Sequence, residues 1–203
     1  MNVNRREFLE TTSVASTAFL AGCSGSGSLA SEEPSFEVLE LFQSKAQLVS
    51  TNNVGRESFS ATIQNTEHSG LVAIALFWQV EESAVEPEGV SSFGTDAFPK
   101  ERMNEVYFDA GERRTIEFTA QPPNDAIGYL FLAQGSTYGT NIRNTGGDGR
   151  AVVTFTFTSS LGLKNSTEET TYIESESTKK VEFDQVIEPN SEWEVEVQSA
   201  NAE

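Results

Sequence analysis

The chain has a single histidine, His68, and a single cysteine, Cys23, in 203 residues. That shortage removes several chemistries at once. A blue-copper centre needs two histidines, a thiolate and usually a methionine, and beyond Met1 only His68, Met103 and Cys23 are present. Zinc sites and cysteine or serine–histidine catalysis lack ligands and bases for the same reason. One cysteine cannot close an internal disulfide. Lysine is scarce too, with Lys45, Lys100, Lys164, Lys179 and Lys180 the full set. No strand–helix alternation marks the α/β lobes of a solute receptor. Carboxylates abound, so a carboxylate-based hydrolase stays as a distant third reading that only the pairing of two acids in space would raise. The expectation is a protein that is not an enzyme, with no cofactor and no metal.

What the chain has in excess is acid. The formal charge is −18, and because Arg5 and Arg6 balance Glu7 and Glu10 near the start, the acidity belongs to the rest of the body. Such a body repels nucleic acid and anionic head groups, so a nucleic-acid partner is not expected. Hydrophobic residues make up 37% and fall in strand-like patterns, which argues against disorder. The acids are spread along the chain rather than clustered. That distribution suits a solvated surface in concentrated salt, where screening over a few ångströms relieves self-repulsion.

The first residues read as an address. Asn4-Arg5-Arg6-Glu7-Phe8-Leu9-Glu10 precedes a mildly apolar run over residues 11–20, about half the length a bilayer-spanning helix needs. Arg5, Arg6, Phe8 and Leu9 resemble a twin-arginine export signal, although Asn4 and Glu10 depart from its usual residues. Leu20-Ala21-Gly22-Cys23 resembles a lipobox, which implies cleavage after Gly22 and a lipid carried on the Cys23 sulfur. Residues 1–22 are then the signal, and residues 23–34 a lipidated cysteine and flexible linker reaching about 18 Å. A two-chain lipid would hold the protein to the membrane durably. The expected location is the extracellular face of the cell membrane. An acidic, lysine-poor chain with this signal is similar to surface lipoproteins of halophilic archaea.

From Phe36 onward the pattern is β. Phe59, Ala61 and Ile63 alternate with Ser60, Thr62 and Gln64, as in a half-buried strand, before a turn over residues 65–70. Residues 71–80 are apolar on both faces, which fits a central strand. Residues 81–104 read as a long polar loop holding Phe93 and Phe98, two rings that either pin the loop or meet a partner. Residues 106–119 read as a hairpin and 127–133 as another buried strand. Residues 136–150 look like a boundary or exposed loop around Tyr138, a third candidate for partner contact. Within them Gly146-Gly147-Asp148-Gly149 reads as a plain turn, since the regularly spaced acids of a Ca²⁺ loop are missing. Alternation returns at residues 153–158, 170–175, 180–187 and 192–198. Asn165-Ser166-Thr167 is the one glycosylation sequon, placed on a loop by this reading.

The strand closing on Asn65-Thr66, the apolar strand after it, Ala110-Gly111-Glu112, Pro122-Pro123 and Gly128-Tyr129-Leu130 together resemble an adhesion-related immunoglobulin-like module over residues 36–134. The resemblance implies an all-β, antiparallel two-sheet sandwich that binds or displays and carries no catalytic residue. VIEPNSEWEVEV (residues 186–197) and FDAGERRTIEF (residues 108–118) look alike, which suggests a shortened second copy. The expected body is therefore one enlarged sandwich over residues 35–203, or a module over 35–136 followed by a partial unit over 137–203. Its function is expected to be a membrane-anchored binding or display module for a surface protein or glycan. The alternative is an accessory subunit of a membrane or secretion complex.

Overall fold

The computed structural model describes residues 32–82, 85–92, 94–189 and 191–200. Cys23, the signal residues and Phe93 lie outside the described residues. The described residues hold twelve strands: β1 (Phe36–Gln43), β2 (Ala46–Asn53), β3 (Ser58–Asn65), β4 (Gly70–Gln79), β5 (Lys100–Phe108), β6 (Arg113–Thr119), β7 (Gly128–Gly135), β8 (Thr137–Asn144), β9 (Gly149–Thr158), β10 (Lys164–Ile173), β11 (Thr178–Asp184) and β12 (Glu192–Ser199). All pairings are antiparallel and form four three-stranded sheets, β2-β3-β6, β5-β4-β7, β1-β8-β11 and β10-β9-β12.

The sheets pack in two pairs around separate cores. Phe59, Ala61 and Ile63 of β3 meet Val72, Ile74, Leu76 and Trp78 of β4, with Phe118 and Phe131 closing the first core. Val153 and Phe155 of β9 meet Tyr138 and Ile142 of β8, Val181 and Phe183 of β11, and Trp193 of β12 in the second. Each set recurs at every second residue because successive strand side chains point to opposite faces. β4 is apolar on its other face as well. There Ala73, Ala75 and Phe77 lie beneath Val90 and Phe98 of the β4–β5 connection.

The two halves are copies of one six-stranded plan. β2, β3, β4, β5, β6 and β7 correspond in order to β1, β8, β9, β10, β11 and β12, and the sheet orders match strand for strand. The register confirms it. Ala46 pairs with Asn65 and Phe36 with Asn144, and both first strands carry a bulge three residues in, between Leu48 and Ser50 and between Val38 and Glu40. Asn65 and Asn144, both buried, make the same hydrogen bonds. The Asn65 carboxamide oxygen accepts the Lys45 N–H (3.1 Å) and its amide donates to the carbonyl of His68 (2.7 Å). The Asn144 oxygen accepts the Ser35 N–H (3.2 Å) and its amide donates to Gly147 (2.8 Å) and Ile173 (3.0 Å). Even the tight turn is shared: Gly111 has φ +76° and its counterpart Glu176 has φ +58°, a region where a side chain is strained.

Several sequence expectations are corrected by this plan. The second copy is complete rather than shortened, and the counterpart of residues 108–118 is residues 173–183, not 186–197. Residues 137–144 are a central strand, not a loop. Gly139 interrupts their pattern in the sequence, but the Phe42 ring fills the space where a Cβ would stand. Residues 100–104 belong to β5 rather than to the long connection. A cut at residue 136 also parts β1 from its partners, because this first of the described strands completes the second repeat.

The chain crosses between repeats twice, at Ser44–Lys45 and at Ser136. The Ser44 N–H donates to the Thr137 carbonyl (2.8 Å), and the Ser44 hydroxyl donates to Leu71 O (2.7 Å). The Leu71 N–H donates to Thr137 Oγ1 (2.8 Å), whose proton goes to Asp184 Oδ1 (2.6 Å). Gly135 packs directly on the Ser44 carbonyl, leaving no room for a side chain. Buried polar groups paired this fully make the waist stiff.

Candidate binding cleft

Three connections converge between the repeats. They are residues 88–92 of the β4–β5 connection, the short β9–β10 turn and residues 186–189 of the β11–β12 connection. Gln134 Nε2 donates to the Ile187 carbonyl (2.7 Å), Gly89 sits against the Pro189 ring, and Val186 packs on the Phe77 cluster. These contacts hold open a cleft of about 860 Å³. Met103, Phe157, Val186 and Ile187 give it apolar lining, and Glu88, Ser91, Ser92 and Lys100 give it polar lining. At the lip stand Leu161 and Leu163, 81% and 64% exposed.

Two of the three charged residues lining the cleft, Lys100 and Glu188 but not Glu88, are tied to the backbone. Lys100 donates to the Val90 carbonyl and lies 5.7 Å from the centre of the Phe77 ring; partial burial pulls its pKa down. The Glu188 carboxylate accepts the Ser160 hydroxyl (2.7 Å) and the Ser160 N–H (2.9 Å), and these bonds hold its pKa below the usual carboxylate range. A carboxylate held this way is a weaker base, so it does little to activate the serine. Among the described residues no three His, Cys, Asp or Glu side chains converge as a metal site.

Glu188 ionised is the form that clamps the β9–β10 turn. Its folded pKa is depressed, so its contribution is present above the unfolded value and fades as pH falls through the folded one. Ser160→Ala is expected to move the Glu188 titration up toward the ordinary carboxylate range, read by side-chain NMR. An unchanged midpoint would show that the serine hydroxyl does not hold the carboxylate.

The sequence-predicted residues fall in different places. Phe98 is 2% exposed and Tyr138 4%, so neither ring is offered to a partner. Phe98 pins the long connection to β4. Tyr138 belongs to the second core, where burial raises its pKa. Asn165 lies on β10 rather than on a loop, is exposed, and edges the cleft beside Phe157, with which it pairs. His68 is exposed at its turn and faces Glu40 (Nε2–Oε1 3.7 Å). Sequence reasoning missed Leu161 and Leu163. The one available signal was a pair of leucines in a glycine turn, and single exposed leucines are too common to stand out. No family model, no curated protein and no solved structure matches the chain.

Proposed function

We propose that the chain is a twin-arginine-exported lipoprotein, held by lipid on Cys23 at the extracellular face of the membrane. Its two repeats are immunoglobulin-like sandwiches that bind a surface protein or glycan without catalysis. The exposed leucines Leu161 and Leu163, lining one cleft with Met103, Phe157, Val186 and Ile187, are the observation that carries binding, since a partner would remove this apolar surface from water. Two facing antiparallel sheets per repeat support the immunoglobulin-like reading, with six strands where the constant type has seven. The acid excess supports a body suited to concentrated salt, and residues 1–23 support the anchor. An accessory subunit of a membrane complex is the second reading, favoured if the cleft is always filled by one polypeptide.

The test is co-purification of the full chain from native membranes at high salt, beside Cys23→Ser and the double variant Leu161→Ser/Leu163→Ser. Cys23→Ser is expected in the soluble fraction, and the double variant is expected to lose its partner by about tenfold or more. Wild-type protein found wholly soluble sinks the anchor. A partner kept in full by the leucine variant sinks the cleft. A single polypeptide at equal amount identifies a subunit.

A further inference from the structure

The second repeat covers its core less fully along one edge than the first does. β12 is an outer strand of its sheet and β1 an outer strand of the facing sheet. Val38 and Leu41 pair with Ile142 and Thr140, whose side chains are buried, so both point to the core side. They nevertheless remain 39% and 48% exposed. Opposite them Trp193, Val195 and Val197 of β12 are only half-buried. The first repeat serves as an internal control. There Leu48 is half-buried and Thr51 stands in place of Leu41, while Phe131, in the place of Val195, is fully buried. The fold therefore does not require an apolar residue at the place of Leu41 on this edge.

We propose that β12 and β1 form an acceptor groove for an extended strand of a partner polypeptide in which apolar and basic residues alternate. Among the described residues no strand lies on the free side of β12, so the backbone N–H and C=O groups facing that way can continue the ladder. Strand side chains alternate in direction, so every second residue of an added strand would enter the groove over Val38, Leu41 and Val195. The others would stand beside the exposed row Glu192, Glu194 and Glu196, which selects lysine or arginine. The same row disfavours a second copy, because edge-to-edge pairing of β12 would oppose like charges. The groove is separate from the cleft and does not depend on it.

The experiment titrates the full-length protein with a labelled eight-residue peptide alternating lysine and valine, read by fluorescence anisotropy. A glutamate–valine peptide, a scrambled lysine–valine peptide and one with a central proline are the comparisons. The alternating basic peptide is expected to bind about tenfold or more tightly than each of these, and to slow amide exchange over residues 192–199. Leu41→Thr, which gives β1 the residue that the first repeat has at this position, is expected to weaken it about tenfold. Equal binding of the scrambled peptide would reduce the effect to bulk charge and overturn the proposal. Unchanged exchange in β12, or no binding at all, would overturn it as well. So would self-association of the protein through β12 with the peptide excluded.

Discussion

Phe155→Ala is expected to lower stability by about 3–5 kcal/mol, a large part of what an ordinary domain has. Phe155 is fully buried at the centre of an aromatic cluster. Its ring lies 5.4 Å from Phe183, nearly parallel, 5.3 Å from Tyr138 and 5.9 Å from Trp193. Truncation removes one ring and leaves a cavity that three rigid rings on three different strands cannot collapse to fill. The loss should also reach the first repeat, because β1 runs into β2 and β7 into β8 through the hydrogen-bonded waist. The two tryptophans report the repeats separately, Trp78 in the first core and Trp193 in the second. Denaturant unfolding of Phe155→Ala, followed in single-tryptophan backgrounds, should show both midpoints falling. A Trp78 transition that stays in place while Trp193 moves would mean that the waist does not couple the cores.

Asn144→Ala should cost about 3 kcal/mol, more than its volume suggests. The side chain is buried and uses both ends. It accepts from the N–H groups of Ser35 and Gly146 and donates to the carbonyls of Gly147 and Ile173. Removing it strands donors and acceptors where water does not enter freely, at about 1–3 kcal/mol for each group left unpaired. Asn144→Asp keeps the acceptor but loses both donors, so it should not rescue. Asn65→Ala should be milder, since two of the bonds donated by its amide are long, at 3.5 and 3.4 Å. Equilibrium denaturation of the three variants tests the order. If Asn144→Ala proves as mild as an exposed substitution, the asparagine is not the pin that holds β1 to its repeat.

These two residues also mark the limit of what could be read directly. Phe155 was legible, since Val153, Phe155 and Phe157 alternate with threonines and declare a half-buried strand. Asn144 was not. It follows a stretch interrupted by Gly139 and precedes Gly146-Gly147-Asp148-Gly149, so local composition pointed to a loop. The strand is set by contacts distant in sequence: Phe42 over Gly139, β1 on one side and β11 on the other. The repeat was hidden for a related reason. Its copies share hydrogen bonds and register more than residue types, with Leu76 standing where the other copy has Phe155.

The local sequence determined the antiparallel β character, the central place of β4 and the turn after Asn65, because period-two burial and turn chemistry act over a few residues. It also determined the acid excess, which is a matter of composition. Tertiary structure alone decided that β1 joins strands a hundred residues away, that Tyr138 and Phe98 are buried, and that Leu161 and Leu163 stand at a cleft. Which of two apolar side chains is covered depends on what the rest of the chain brings over it, and that is a property of packing rather than of neighbours in sequence.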